Sequence, residues 1–172
     1  MITELGNQHE SFLDTISTLD KTVYEFSWSD KWTPGQQFVH IRKSISPVAL
    51  AFALPRFILK YQFGVTNRPS RTYDELVARY IKALEGRTAV APKQFQPKLV
   101  PYSTHDKEQK IFKKNLNRLV RQVNKWTEKD LDYYVIPHPL IGKLTLREMI
   151  YFCTYHVQHH HKITQEIIKN AP

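Results

Sequence analysis

The sequence predicts an all-α protein: a four-helix bundle with long connecting loops and room for a short extra helix. Three observations carry that expectation. Apolar residues recur at spacings of three and four in several long segments, the period of a helix with one buried face. Three segments open on helix-start chemistry, at Thr33-Pro34, at Thr72 followed by Glu75, and at Thr145 followed by Glu148. Strand signals are weak, and Tyr133–Ile136 is the one short β-like run.

In chain order, a first helix is expected over Thr3–Tyr24, with Phe12, Ile16, Leu19 and Val23 on one face. Phe26–Trp32 reads as a connection. The second helix starts at Thr33 and turns Phe38, Ile41, Ile45 and Val48 inward, with His40 at the border of that face. Pro47 lacks a backbone donor and crowds the preceding turn, so a kink that opens space beside His40 is expected. Pro55 and Gly64 bracket Arg56–Tyr61, a helix continuation or a lid. A third helix runs from Thr72 through Leu76, Tyr80 and Leu84, with Gly86 as its stop. Ala91–Thr104, which holds Pro92, Pro97 and Pro101, reads as a long irregular connection crossing the molecule. The fourth helix, His105–Trp126, carries Phe112, Leu116, Leu119, Val123 and Trp126 on one stripe. Asp130–Lys143 is expected to be loop. The last helical segment is Leu144–Ile168, and residues 1–172 are taken as one bundle domain.

Composition sets the outer limits. At 172 residues, with 41% hydrophobic and 24% charged residues, the chain suits one globular domain with a real core. No apolar run approaches the roughly 20 residues that cross a bilayer. No signal-peptide pattern opens the sequence, and the cytoplasm is the expected compartment. Cys153 is the single cysteine, so an internal disulfide is excluded, and its place on the core face marks it as structural. The net charge is +9, but the cations are dispersed. Lys107, Lys110, Lys113, Lys114, Arg118 and Arg121 spread around helical turns, which suits a solvated face better than a nucleic-acid stripe. Without a Gly-rich loop, a nucleotide cofactor is not expected.

The chemistry concentrates in the last helix. Leu146, Met149, Ile150, Cys153, Val157, Thr164 and Ile168 form its inward face, and His156 and His160 fall inside that face. Residues four apart on a helix are neighbours with Cβ atoms roughly 5–6 Å apart, so two such imidazoles can converge on one metal ion. A solvated His-rich tract is the alternative reading of four His in six residues. Two half-satisfied imidazoles on a buried face would be costly, which favours the metal reading. His159 and His161 point away from the bisector of the pair, toward contacts behind the ligands or at the rim. A bundle core builds metal sites from facing helices, and His40 is the His in the central turns of another core helix. Three protein ligands with one free position is the pattern of catalytic metals.

Three blocks of this chain resemble the DinB/YfiT-like superfamily of metal-binding four-helix bundles. They are Trp32-Thr-Pro-Gly-Gln-Gln-Phe-Val-His40-Ile, Pro137-His-Pro-Leu-Ile-Gly-Lys-Leu-Thr-Leu-Arg-Glu148 and Tyr155-His-Val-Gln-His-His160. The resemblance implies that His40, His156 and His160 hold a divalent ion. On activity the resemblance leaves alternatives open: some members resemble thiol-dependent transferases or isomerases using a low-molecular-weight thiol, others metal-dependent hydrolases, and many have no known activity. Zinc or nickel is the expected ion, with iron and manganese also accepted by imidazole. Relatives often pair as dimers, so a homodimer is expected.

The leading expectation is therefore a metal-dependent enzyme acting on a small molecule, thiol-dependent transferase or hydrolase. Arg42, Lys43 and Arg71 are candidates to hold substrate carboxylates, and Glu10, Asp14 and Glu166 are the candidates for a carboxylate base. The alternative is a non-catalytic metal-binding or DNA-damage-associated bundle that meets a partner through its basic surface. Neither membrane nor nucleic acid is the expected partner of the enzyme.

Overall fold

The computed structural model describes residues 1–85 and 92–172. Among the described residues, four long helices form the bundle: α1 (Ile2–Ser17), α3 (Pro34–Ala51), α6 (His105–Val123) and α8 (Leu146–Lys169). Between them lie the short helices α2 (Lys21–Tyr24), α4 (Arg56–Phe63) and α7 (Glu128–Tyr133), and the longer α5 (Tyr73–Glu85). Helix α3 packs against α6 and α8, α1 packs against α8 and α6, and α5 packs against α8. The core draws on all four bundle helices, with Phe12, Ile16, Phe38, Ile41, Phe112, Leu119, Leu146 and Val157 buried. No helix of the described residues is long and apolar enough to cross a membrane.

Local chemistry sets the two helices that matter most. At the start of α3, Gln36 N–H donates to Thr33 Oγ1 at 3.2 Å, and Thr33 N–H donates to Gln36 Oε1 at 3.0 Å. Pro34 follows at the first helical position, where its missing donor costs nothing. Thr145 and Glu148 make the same reciprocal pair at the start of α8, at 3.2 and 2.9 Å. Glu148 is fully buried and also accepts from the two terminal guanidinium nitrogens of Arg68, at 2.7 and 2.9 Å, and from the Arg71 N–H at 2.8 Å. One carboxylate thus pins the 68–71 loop to the first turn of α8.

Three expectations need correction. The first helix ends at Ser17, where Ser17 and Thr18 hydroxyls donate to the carbonyls of Asp14 and Thr15. Asp20 then caps α2 by accepting from Val23 N–H at 3.0 Å. The expected loop over Asp130–Lys143 is instead ordered structure. Thr127 and Asp130 cap α7, and β1 (Val135–His138) pairs antiparallel with β2 (Gly142–Thr145), in the register Val135↔Thr145 and His138↔Gly142. Gly142 supplies the turn with a φ of +80°. Thr145 ends β2 and caps α8, so the hairpin delivers the chain straight into that helix.

The fourth long helix stops at Val123, and Trp126 lies beyond it, its indole N–H donating to the Phe52 carbonyl at 3.0 Å. Helix α3 continues past Pro47, which lies inside it, to Ala51. What lies against His40 is the Phe95 carbonyl and the Trp32 ring. Gly86, the expected stop of α5, lies outside the described residues.

Candidate metal centre

Helices α3 and α8 bring His40, His156 and His160 together at their contact. All three side chains are buried, with 5%, 6% and 9% exposure. One ring nitrogen from each lies within 4.8 Å of the other two. His40 Nε2 and His156 Nε2 stand 3.2 Å apart. An ion with metal–nitrogen bonds of about 2.0–2.1 Å in tetrahedral geometry sets its nitrogens roughly 3.3 Å apart. The observed pair is close to that spacing.

The other ring nitrogens decide which lone pairs are free. His40 Nδ1 is 2.8 Å from the Phe95 carbonyl oxygen, which can only accept, so Nδ1 carries the proton and donates. His160 Nδ1 in the same way donates to Gln37 Oε1. In both rings Nε2 is left with its lone pair, the form that binds a metal.

Burial and mutual repulsion keep the rings neutral. Burial lowers the pKa of His156 and His160 well below 6.5, and the neighbouring histidines lower both further. Burial also lowers His40, with the Phe95 hydrogen bond working against it and the Lys43 charge working with it. Phe152 stacks on His156 at 4.9 Å between centroids, and Trp32 lies 5.1 Å from His40. These rings line the cluster with apolar surface. Three neutral imidazoles, two of them with directed lone pairs, fit a divalent transition metal.

The DinB superfamily model matches residues 4–163 of this chain. The chain belongs to the DinB superfamily. The matched span contains all three convergent histidines. No curated protein matches the chain.

In this DinB-superfamily chain the remaining candidates fall elsewhere. Among the described residues, no carboxylate and no cysteine joins the three histidines. Glu10 and Asp14 are exposed on α1, and Glu166 pairs with Lys31 at 3.0 Å. Cys153 is buried, and burial pushes its thiol up to about 12, so it stays protonated. Arg42 pairs with Glu108, Lys43 donates to the Gln96 carbonyl at 2.9 Å, and Arg71 pairs with Glu148 at 3.1 Å. All three expected substrate cations are thus held by partners within the fold.

His161 Nε2 meets Thr15 Oγ1 at 2.8 Å and its ring packs 5.3 Å from Phe12, so it ties α8 to α1. His159 is half-buried, beside Tyr155 and His160. Three other histidines proved to be core residues: His9 on α1, donating to the Leu5 carbonyl at 2.8 Å, His105, whose Nε2 meets the Ile16 carbonyl at 3.0 Å, and His138, whose Nδ1 accepts the Leu140 and Ile141 N–H groups.

Sequence reasoning missed Gln37 and Phe95. Gln37 had a readable signal, a polar residue three before His40 on the same helix flank. Phe95 had none, because it acts through its backbone carbonyl.

Proposed function

We propose that His40, His156 and His160 hold a divalent metal ion, zinc or nickel, and that the protein is a metal-dependent enzyme acting on a small molecule. The observation that supports this best is the convergence of three buried imidazole nitrogens, two of them with lone pairs set by Phe95 and Gln37. No protein carboxylate or thiol among the described residues competes for a remaining position. A bound ion of this kind lowers the pKa of water to roughly 7 or stabilises a thiol as its thiolate.

The chain's own residues do the rest. His40 and His160 present lone pairs without reorganisation, because their other nitrogens are already held. Trp32 and Phe152 keep apolar surface against the cluster, which strengthens its electrostatics. The three ligands are neutral, and so are the partners of His40 and His160, so these groups would not cancel the positive charge of the ion. That arrangement favours an anionic fourth ligand, and within the DinB superfamily reading it favours a low-molecular-weight thiol as co-substrate over hydrolysis by a carboxylate base.

The test is metal analysis of purified protein, followed by addition of a small thiol to the cobalt-substituted form. A sulfur-to-cobalt charge-transfer band is expected, and exogenous imidazole should compete with it. Cobalt that binds but accepts neither thiol nor imidazole would identify a closed, structural ion and defeat the enzyme reading. We propose separately that two copies pair, a reading supported by the apolar surface that Leu50, Phe57 and Tyr61 expose, with Phe57 73% and Tyr61 94% exposed. Light scattering that finds only monomer at high concentration removes the dimer.

A further inference from the structure

We infer that Gln37 is a positioning residue that sets both the aim of His160 and the charge left on the metal, an inference that rests on the metal reading above. Gln37 is 3% exposed, on the buried flank of α3 one turn before His40. Its amide is held at both ends. Oε1 accepts from His160 Nδ1, and Nε2 donates to the Trp32 carbonyl at 3.3 Å.

The second bond decides the chemistry of the first. A carbonyl oxygen can only accept, so the atom facing Trp32 has to be a donor. That fixes the amide orientation and leaves the oxygen for His160. It also explains why an amide stands here: a carboxylate would set an oxygen against the Trp32 carbonyl. The Trp32 backbone therefore selects a neutral partner for His160.

Neutrality has a consequence at the ion. A carboxylate behind a ligand histidine makes the imidazole a stronger donor and reduces the effective charge of the metal. An amide orients the ring without doing so. His40 is treated alike, since its partner is the Phe95 carbonyl. Gln37 thus favours uptake of an anion at the open position over the tightest grip on the metal.

The test uses the full chain loaded with cobalt, with azide as the anionic probe. Gln37→Leu removes the acceptor and should weaken cobalt binding roughly 10–100-fold, the size usual for such outer partners. Gln37→Glu keeps an acceptor, and its negative charge behind His160 should outweigh the repulsion from the Trp32 carbonyl, so it should bind cobalt at least as tightly as the parent while binding azide more weakly. A purely structural role cannot produce that opposed pair of changes. If Gln37→Leu does not fold, Gln37→Glu alone carries the test through the same opposition.

Cobalt affinity unchanged in Gln37→Leu, or azide affinity unchanged in Gln37→Glu, overturns the inference while leaving the metal site standing. Failure of the parent protein to take up cobalt overturns both.

Discussion

His40 Nε2 and His156 Nε2 face each other at 3.2 Å across the contact between α3 and α8. His40 spends its proton on the Phe95 carbonyl, so its Nε2 offers only a lone pair. Without an ion, His156 Nε2 can donate a proton to that lone pair; an ion at the cluster would take both nitrogens as ligands. His40→Ala, His156→Ala and His160→Ala should each cut metal affinity by more than the roughly 10–100-fold seen for outer hydrogen-bond partners. His159→Ala and His161→Ala should keep the metal. Elemental analysis of the five variants checks this. Metal retained in His156→Ala but lost in His159→Ala would show that the assignment of the α8 face is wrong.

The α8 part of this centre was legible before any coordinates, because i and i+4 spacing on an apolar stripe survives any tertiary context. The capping boxes at Thr72 and Thr145 and the helix start at Thr33-Pro34 were legible too, because each rests on residues within one turn; the Gln36 half of the Thr33 box was not read. The break after Ser17 was not, since Leu19 and Val23 continue the helical spacing while Asp20 restarts the helix. The β1–β2 hairpin escaped because Pro137 and Pro139 read as loop residues, and an isolated two-stranded pair owes its order to what it packs on. The Phe95 carbonyl could not be foreseen, because a backbone acceptor 55 residues away leaves no mark in the sequence.

Acid should destabilise the fold through two buried histidines that are not among the three convergent ones. Burial lowers His9 and His138 from 6.5 to about 4, with the Leu5 carbonyl offsetting part of the effect at His9. Between those values the unfolded chain binds more protons than the folded one. Their contribution is whole above the unfolded value and is lost as pH falls toward the folded one. A shift of this size corresponds to about 3 kcal/mol for each group. Thermal melts across that range should show falling stability, and His9→Leu should flatten the slope. A melting temperature constant down to about pH 4 would contradict the burial assigned to both.

Glu148 is the electrostatic anchor of α8. Burial pushes its carboxyl up, but hydrogen bonds from Arg68 and from the backbones of Arg71 and Thr145 more than reverse this and leave it lowered. Glu148→Ala strands two guanidinium groups and an uncapped helix start, at a cost of about 3 kcal/mol. Denaturant titration measures the loss. A change within roughly 0.5 kcal/mol, the range of ordinary surface substitutions, would mean the network does not hold the loop.

Gly35 lets the Tyr24 ring lie directly on the first turn of α3. A Cβ at this position would fall within contact of three ring atoms of Tyr24, whose side chain is fully buried. Gly35→Ala should cost about 1–3 kcal/mol by overpacking, despite the better helix propensity of alanine. A more stable Gly35→Ala protein would show that the ring gives way freely.

Cys153 decides whether the centre is open. It stands three residues before His156 on α8, near enough in sequence to be considered as a fourth ligand. It does not join the convergent group, and burial holds it as a thiol, with a pKa near 12. A protein thiolate on the ion would make a closed structural site of the kind that holds folds together. With Cys153 in the apolar wall, substitution by serine should leave metal content and the cobalt spectrum unchanged. The buried hydroxyl would cost about 1–2 kcal/mol of stability, less where it finds a carbonyl on its own helix. Loss of a sulfur-to-cobalt band in thiol-free Cys153→Ser would mean that Cys153 is a ligand after all. In that event the position left for an external thiol is already taken, and catalysis at this ion is excluded.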